Sequence, residues 1–245
     1  MMRNIKLTIA YKGTAYHGFQ VQKNALSVAE VFQNAVEKVF GVRYDIKGCS
    51  RTDSGVHARG FVVCLKAETA IPCPNIVRAL NGNLPDDIAV IDCLDVAEDF
   101  HPRYSARGKR YVYRIWNAQN KNPFETDTAV HQPRKLDAQK MNRVAQCFVG
   151  THDFSAFCAA GGSVEDKVRT IYSCSVTEQG NFVTISIEGD GFLYNMVRII
   201  VGTLMEISFG SIEEQALPDI IASKDRSRAG VTAPAHGLYL DEVFY

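Results

Sequence analysis

Ser27-Val28-Ala29-Glu30-Val31-Phe32-Gln33-Asn34-Ala35-Val36-Glu37-Lys38-Val39-Phe40-Gly41 carries every signal of one complete helix. Ser27 with Glu30 three residues on is a capping box, the two side chains serving the first free N–H groups. Val28, Val31, Phe32, Ala35, Val36 and Val39 make one apolar stripe, and Gly41 supplies the stop. Before it, Ile5 to Ile9 alternates apolar and polar like a half-buried strand, followed by a loop marked by Gly13 and Gly18. After it come strand-like runs over Val42 to Gly48 and Phe61 to Ala67, a short helix over Asn75 to Asn81, and a strand over Ile88 to Val96. The order is β-α-β-β-α-β.

The second half repeats it. Tyr111 to Trp116 reads as a strand, and Asp137 to Phe148 as a helix with Met141, Val144, Ala145 and Phe148 inward. Val168 to Val176 and Phe182 to Ile187 form a hairpin around Gln179-Gly180-Asn181. Helices follow over Leu193 to Ile207 and Ile212 to Ser223, with a closing strand over Leu238 to Phe244. The expected fold class is therefore α+β, two ferredoxin-like units with antiparallel sheets, residues 1–104 and 105–245, joined near residues 99–107. Helices on one face would leave the other face of each sheet for a ligand.

Composition narrows the setting. Of 245 residues, 46% are hydrophobic and 22% charged, ordinary values for a globular protein. Lys plus Arg and Asp plus Glu total 27 each, so any polyanion must be met by a local patch. Met1-Met2-Arg3 leads straight into the first strand without a signal-peptide apolar stretch. Phe192 to Ile207 is broken by Asn195, Arg198 and Glu206, so no membrane span is expected. Seven scattered cysteines with no Cys-x-x-Cys spacing indicate neither a disulfide framework nor a zinc site. A reduced, cytoplasmic protein is expected. His17, His101, His131, His152 and His236 lack metal-ligand spacing, and no phosphate-binding glycine loop is present.

Chemistry concentrates in three places. Ser50-Arg51-Thr52-Asp53-Ser54-Gly55-Val56-His57-Ala58-Arg59-Gly60 packs an acid among cations, hydroxyls and glycines between two strands. Asp53 is either an ordinary turn aspartate or an acid held on a loop by a rigid sheet, with Arg51 and His57 near enough in sequence to keep it ionised. Asp53-Ser54-Gly55 also matches the aspartic-protease signature, which needs two such acids. Pro102 to Arg114 holds Arg103, Arg107, Lys109, Arg110 and Arg114 with Tyr104, Tyr111 and Tyr113 and no acid. It is either a solvated edge strand or a surface for RNA, cations on phosphates and rings on bases. In Gly189 to Arg198, Tyr194 and Arg198 are expected on one edge of an apolar helix. Arg198 there is either a snorkelling side chain or a fork aimed at a carboxylate.

The ordered set of blocks resembles the TruA-type tRNA pseudouridine synthases. The blocks are Tyr11-Lys12-Gly13-Thr14, Gly18-Phe19-Gln20, Arg51 to Ala58, Phe100 to Ala106, Arg110 to Tyr113, His152 to Phe157, Gly191 to Arg198 and Ala229 to Pro234. Ser50 and Ser54 depart from the usual glycine and alanine, both small replacements. The resemblance implies a homodimer without metal or organic cofactor that converts uridine to pseudouridine at positions 38, 39 and 40 of the tRNA anticodon stem-loop. It implies Asp53 as catalytic carboxylate, Tyr111 against the base, Arg198 pairing with the aspartate, Arg51 as the basic residue of the catalytic loop, and Arg110 on the substrate side. An RNA-binding module without catalysis would not need Asp53, and a protease would need neither Tyr111 nor the basic stretch.

Overall fold

The computed structural model describes residues 2–162 and 164–245. They form two compact units, Met1–Arg107 with Tyr239–Tyr245, and Gly108–Leu238.

The first unit contains β1 (Met2–Tyr11), α1 (Val28–Phe40), β2 (Ile46–Gly48), β3 (His57–Glu68), α2 (Cys73–Asn81) and β4 (Ile88–Val96). β1 pairs antiparallel with both β3 and β4, and β2 pairs antiparallel with β3, the ferredoxin-like arrangement expected. The α1 cap forms as read: Ser27 Oγ accepts the Glu30 N–H at 3.3 Å, and Gly41 ends the helix at φ 72°. Ile5, Leu7 and Ile9 on β1 are fully buried, as are Phe32 and Val36 on α1.

β2 is shorter than its apolar run because Arg43 turns back to α1, donating to Asn34, Glu37 and Gln33. β3 is longer and begins inside the questioned loop, at His57. That early start has a partner. β10 (Leu238–Phe244) runs parallel to it, with Tyr239 opposite His57 and Leu240 opposite Ala58. The sheet face away from the helices, expected from sequence to be left for a ligand, is in part covered. Tyr245 lies under the Lys6 ammonium at 5.3 Å and packs on Phe100 at 4.9 Å, its hydroxyl donating to Pro102 O.

The second unit contains β5 (Gly108–Trp116), β6 (Val130–His131), α3 (Ala138–Ala145), β7 (Gly150–Asp153), β8 (Val168–Gln179), β9 (Phe182–Gly189), α4 (Met196–Phe209) and α5 (Leu217–Ser223). β5, β9, β8 and β7 pair antiparallel in that order, and β6 adds a short parallel pairing on β5. Met141, Val144, Ala145 and Phe148 face the core. α4 is apolar nearly all round, and the segment after α5 lies on it so closely that a Cβ on Gly202 would come 1.8 Å from Val231 O.

Candidate catalytic site

Asp53 sits in a tight turn. Its carbonyl accepts the Val56 N–H at 3.1 Å, and Gly55 has φ 77°, the positive value a type II turn requires at its third residue. The backbone thus does what the ordinary reading proposed, and the carboxylate side chain is left half-exposed on the turn. On either side the chain is buried: Thr52 is 9% exposed and Val56 2%.

The Gly13–Phe19 loop forms the backing. Phe19 N–H donates to Thr52 O at 3.3 Å and Gly55 N–H to Tyr16 O at 3.2 Å. Tyr11 Oη and Thr52 Oγ1 share a buried hydrogen bond of 2.8 Å. Gly18, at φ 81°, lies so close that a Cβ there would meet Thr52 O at 2.3 Å. The two glycine-containing N-terminal blocks and the Arg51–Ala58 block are therefore one structure.

His57 is held by the first loop. It is 1% exposed, and its Nδ1 accepts the Gly13 N–H at 2.9 Å, which requires that nitrogen to carry no proton. Its ring packs on Tyr239 of β10 at 4.7 Å. Arg51, by contrast, is exposed. With Ser50, Phe19, Gln20, Gln33, Asp45 and Arg103 it lines a cavity of about 300 Å³ beside the turn.

The remaining predicted residues lie in the second unit. Tyr111 on β5 is 7% exposed and meets Phe192 edge to face at 5.0 Å. Arg110 points to the other face of β5 and pairs with Glu188, directly opposite on β9, at 3.2 Å. Arg114 pairs with Glu125 at 3.1 Å and lies over the Phe182 ring at 4.6 Å. Arg107 donates to Tyr245 O. The basic stretch therefore does have acids, Glu125 and Glu188, and Arg107, Arg110 and Arg114 are among its cations with structural partners. Tyr104 at 79% exposure, with Arg103 6.0 Å from its ring, remains on the surface.

Arg198 occupies the first turn of α4, where a cation opposes the helix dipole at a cost of about 0.3–1 kcal/mol. Two acceptors hold it there: Nε donates to Ala233 O and Nη1 to Asn195 Oδ1, each at 2.7 Å. It does not snorkel. Tyr194 shares no helical edge with it, because Asn195 takes φ 58° and ends the helix before Tyr194. Sequence reading missed Tyr113 and the Ala233-Pro234 carbonyls. Tyr113 Oη donates to Pro234 O at 2.8 Å, while burial pushes its phenol well above the usual range, moderated by the nearby Arg198 cation. The sequence signals were the Arg110 to Tyr113 block, which contains Tyr113 without a role, and the Ala229–Pro234 block, whose contribution is mostly backbone.

Among the described residues no three His, Cys, Asp or Glu side chains converge to hold a metal ion, and no helix is long and apolar enough to cross a membrane.

A family model described as tRNA pseudouridine synthase matches residues 7–105 and 144–245. The chain belongs to the tRNA pseudouridine synthase family. It is 50% identical over 244 residues to tRNA pseudouridine synthase A of Acetivibrio thermocellus, covering 100% of both chains. It is 47% identical to tRNA pseudouridine synthase A of Thermoanaerobacter sp. strain X514 and 46% to that of Ruminiclostridium cellulolyticum, again over 100% of each chain. Among solved structures, a chain of the archaeal box H/ACA sRNP Nop10-Cbf5 complex is similar at a TM-score of 0.36 and 11% identity, covering 82% of this chain and 43% of that one. The enzyme is thus an isomerase converting uridine to pseudouridine in tRNA, and the protease alternative for Asp53-Ser54-Gly55 falls away. Asp53, Arg51 and Arg198 lie inside the segments matched by the family model, while Arg110 and Tyr111 lie between them.

Proposed function

We propose that this synthase acts on uridines 38, 39 and 40 of the tRNA anticodon stem-loop, with Asp53 as its catalytic carboxylate. One observation carries the assignment of Asp53. It is a half-exposed acid on a turn that is fastened at buried Thr52 and at Gly55 by hydrogen bonds to Tyr11 and to the Gly13–Phe19 loop. A charged group held this way need not reorganise when the reaction begins, which is the main source of electrostatic catalysis.

The reaction breaks the bond between uracil N1 and ribose C1′, turns the base, and joins C5 to C1′. The C5 hydrogen leaves as a proton and N1 ends with one. Asp53 serves as nucleophile toward sugar or base, or as the group that takes a proton from the sugar. Tyr111 offers an aromatic ring and a hydroxyl to the base. Arg51, exposed beside Asp53, meets the phosphates or the space left by the displaced nucleotide, whose unstacking costs roughly a few kcal/mol. Arg198 serves as the arginine that pairs with the catalytic aspartate, and its position against the helix dipole supports a role beyond packing. Arg110 contributes on the substrate side while paired with Glu188. The enzyme works as a cytoplasmic homodimer without a cofactor.

The test is tritium release from tRNA transcripts labelled at uridine C5, each retaining a single uridine at position 38, 39 or 40. Wild type is expected to release label from all three and Asp53→Asn from none, with tRNA binding and fold intact. Release by Asp53→Asn at the wild-type rate would remove Asp53 from the chemistry, and release from other positions alone would move the substrate site.

A further inference from the structure

Of the cations between Pro102 and Arg114, Arg107, Arg110 and Arg114 are engaged by the fold. Arg103 is not. Among the described residues neither Arg103 nor Arg51 is paired with an acid, and both are exposed. Both line the cavity of about 300 Å³ beside the Asp53 turn. Asp45 is the one acid on that lining, and it too faces solvent.

The segment that carries Arg103 is closed on itself. Ser105 N–H donates to His101 O at 2.9 Å, and His101 N–H to Ser105 Oγ at 3.0 Å. His101 Nδ1 accepts the N–H groups of Arg103 and Tyr104 at 3.1 and 3.4 Å, so it carries no proton there. Burial, then the Lys47 and Arg103 charges, hold the His101 pKa below its usual value, in keeping with that role. Pro102 O accepts the Tyr245 hydroxyl at 2.7 Å. None of these bonds uses the side chain of Arg103 or Tyr104.

The Tyr104 ring nevertheless has a set direction. It lies 4.4 Å from the His101 ring at 33°, with the Arg103 guanidinium 6.0 Å from its centre. Yet Tyr104 is 79% exposed, so its ring adds little to the core. An open aromatic face beside guanidiniums without acid partners suits single-stranded nucleic acid, with the base on the ring and phosphate oxygens on the cations.

We propose that Tyr104, Arg103 and Arg51 form a docking subsite for the nucleotide next to the target uridine, its base stacked on Tyr104 and its phosphates met by the two arginines. The inference rests on the reading of the Asp53 turn as the reaction site, since Arg51 is two residues from Asp53, at most about 7 Å along the chain. Every base has a stacking face, so the subsite grips the strand without selecting its sequence.

The first test uses the unaltered chain and tRNA transcripts carrying 5-iodouridine on either side of the target uridine. Irradiation is expected to join the iodouridine to the peptide that contains Tyr104. Adducts that spare Tyr104, or none at all, would overturn the subsite. Tyr104→Ala is expected to raise the Kd for tRNA roughly fivefold to a hundredfold, the worth of one base–aromatic stack, and Tyr104→Phe to restore it. The single-turnover rate at saturating enzyme is expected to fall far less than binding. Arg103→Gln is expected to reduce the slope of log Kd against log salt by about 0.7, one phosphate contact on a single strand. A wild-type Kd for Tyr104→Ala, or an unchanged salt slope for Arg103→Gln, would overturn the proposal. Both variants leave the bonds that close the segment in place and are expected to fold. Tritium release by wild type keeps the two readings apart. Release at positions 38, 39 and 40 with wild-type binding by Tyr104→Ala sinks the subsite alone, whereas no release at those positions overturns the target reading and, with it, the placing of this subsite.

Discussion

The hydroxyls of Tyr11 and Thr52 meet at 2.8 Å with no solvent between β1 and the turn that presents Asp53. This contact ties the residue next to the proposed catalytic carboxylate to the end of the unit's central antiparallel pair. Tyr11→Phe leaves Thr52 Oγ1 without that partner in a buried place, at a cost of about 1–3 kcal/mol. Urea unfolding of Tyr11→Phe, Thr52→Val and the double variant checks it. The double variant is expected to lose less than the sum of the two single losses, and pseudouridine formation is expected to fall in all three.

Arg198→Lys keeps the charge but loses the fork that reaches Ala233 O and Asn195 Oδ1 together. Losing charge-assisted bonds of about 1.5–3 kcal/mol corresponds to roughly a tenfold to hundredfold fall in turnover. Single-turnover kinetics with saturating enzyme separate this from tRNA binding, which is expected to change much less.

Gly202→Ala, about one turn along α4 from Arg198, is expected to be costly. The added methyl collides with Val231 O, 1.8 Å away, and Gly230 N–H is already bonded to Thr203 Oγ1 on the same helix. Overpacking of this kind costs about 1–3 kcal/mol. The urea midpoint should drop, and activity should drop beyond it, because the displaced segment carries the Ala233 carbonyl that holds Arg198.

Asp153 provides a pH-dependent contribution. The Lys224 ammonium at 2.8 Å, then the Ser155 hydroxyl and N–H, hold its carboxyl down at about 2. A carboxyl depressed in the folded state adds stability that is complete above the unfolded pKa near 4 and is lost as pH falls toward about 2. Lys224 is 61% exposed, so screening leaves about 1–2 kcal/mol. Urea midpoints of wild type and Asp153→Asn are expected to differ at pH 6 and to converge as pH falls from about 4 to about 2.

What the sequence disclosed and what it concealed follow from the range of the interactions. α1 was legible to the residue because its cap, stripe and stop are local. β6, two residues long, and β7, four, are defined by partners far along the chain and carry no period. The helical spacing of Tyr194 and Arg198 misled because a single backbone turn at Asn195 resets it. At the proposed site, Asp53 stands out through its neighbours in sequence. The roles of His57, Arg110 and Arg114 could not, since Gly13, Glu188 and Glu125 decide them. Ala233 acts through a carbonyl, which every residue has.

The strand pairing of Tyr239 with His57 has a consequence for how the protein is made. The first unit emerges from the ribosome early, but the ring that packs on His57 is encoded after the whole of the second unit. The support behind the Asp53 turn is therefore finished last, so that an interrupted nascent chain carries the proposed catalytic carboxylate on an incomplete scaffold. Translation itself acts as a timer on when this enzyme becomes competent to touch its RNA.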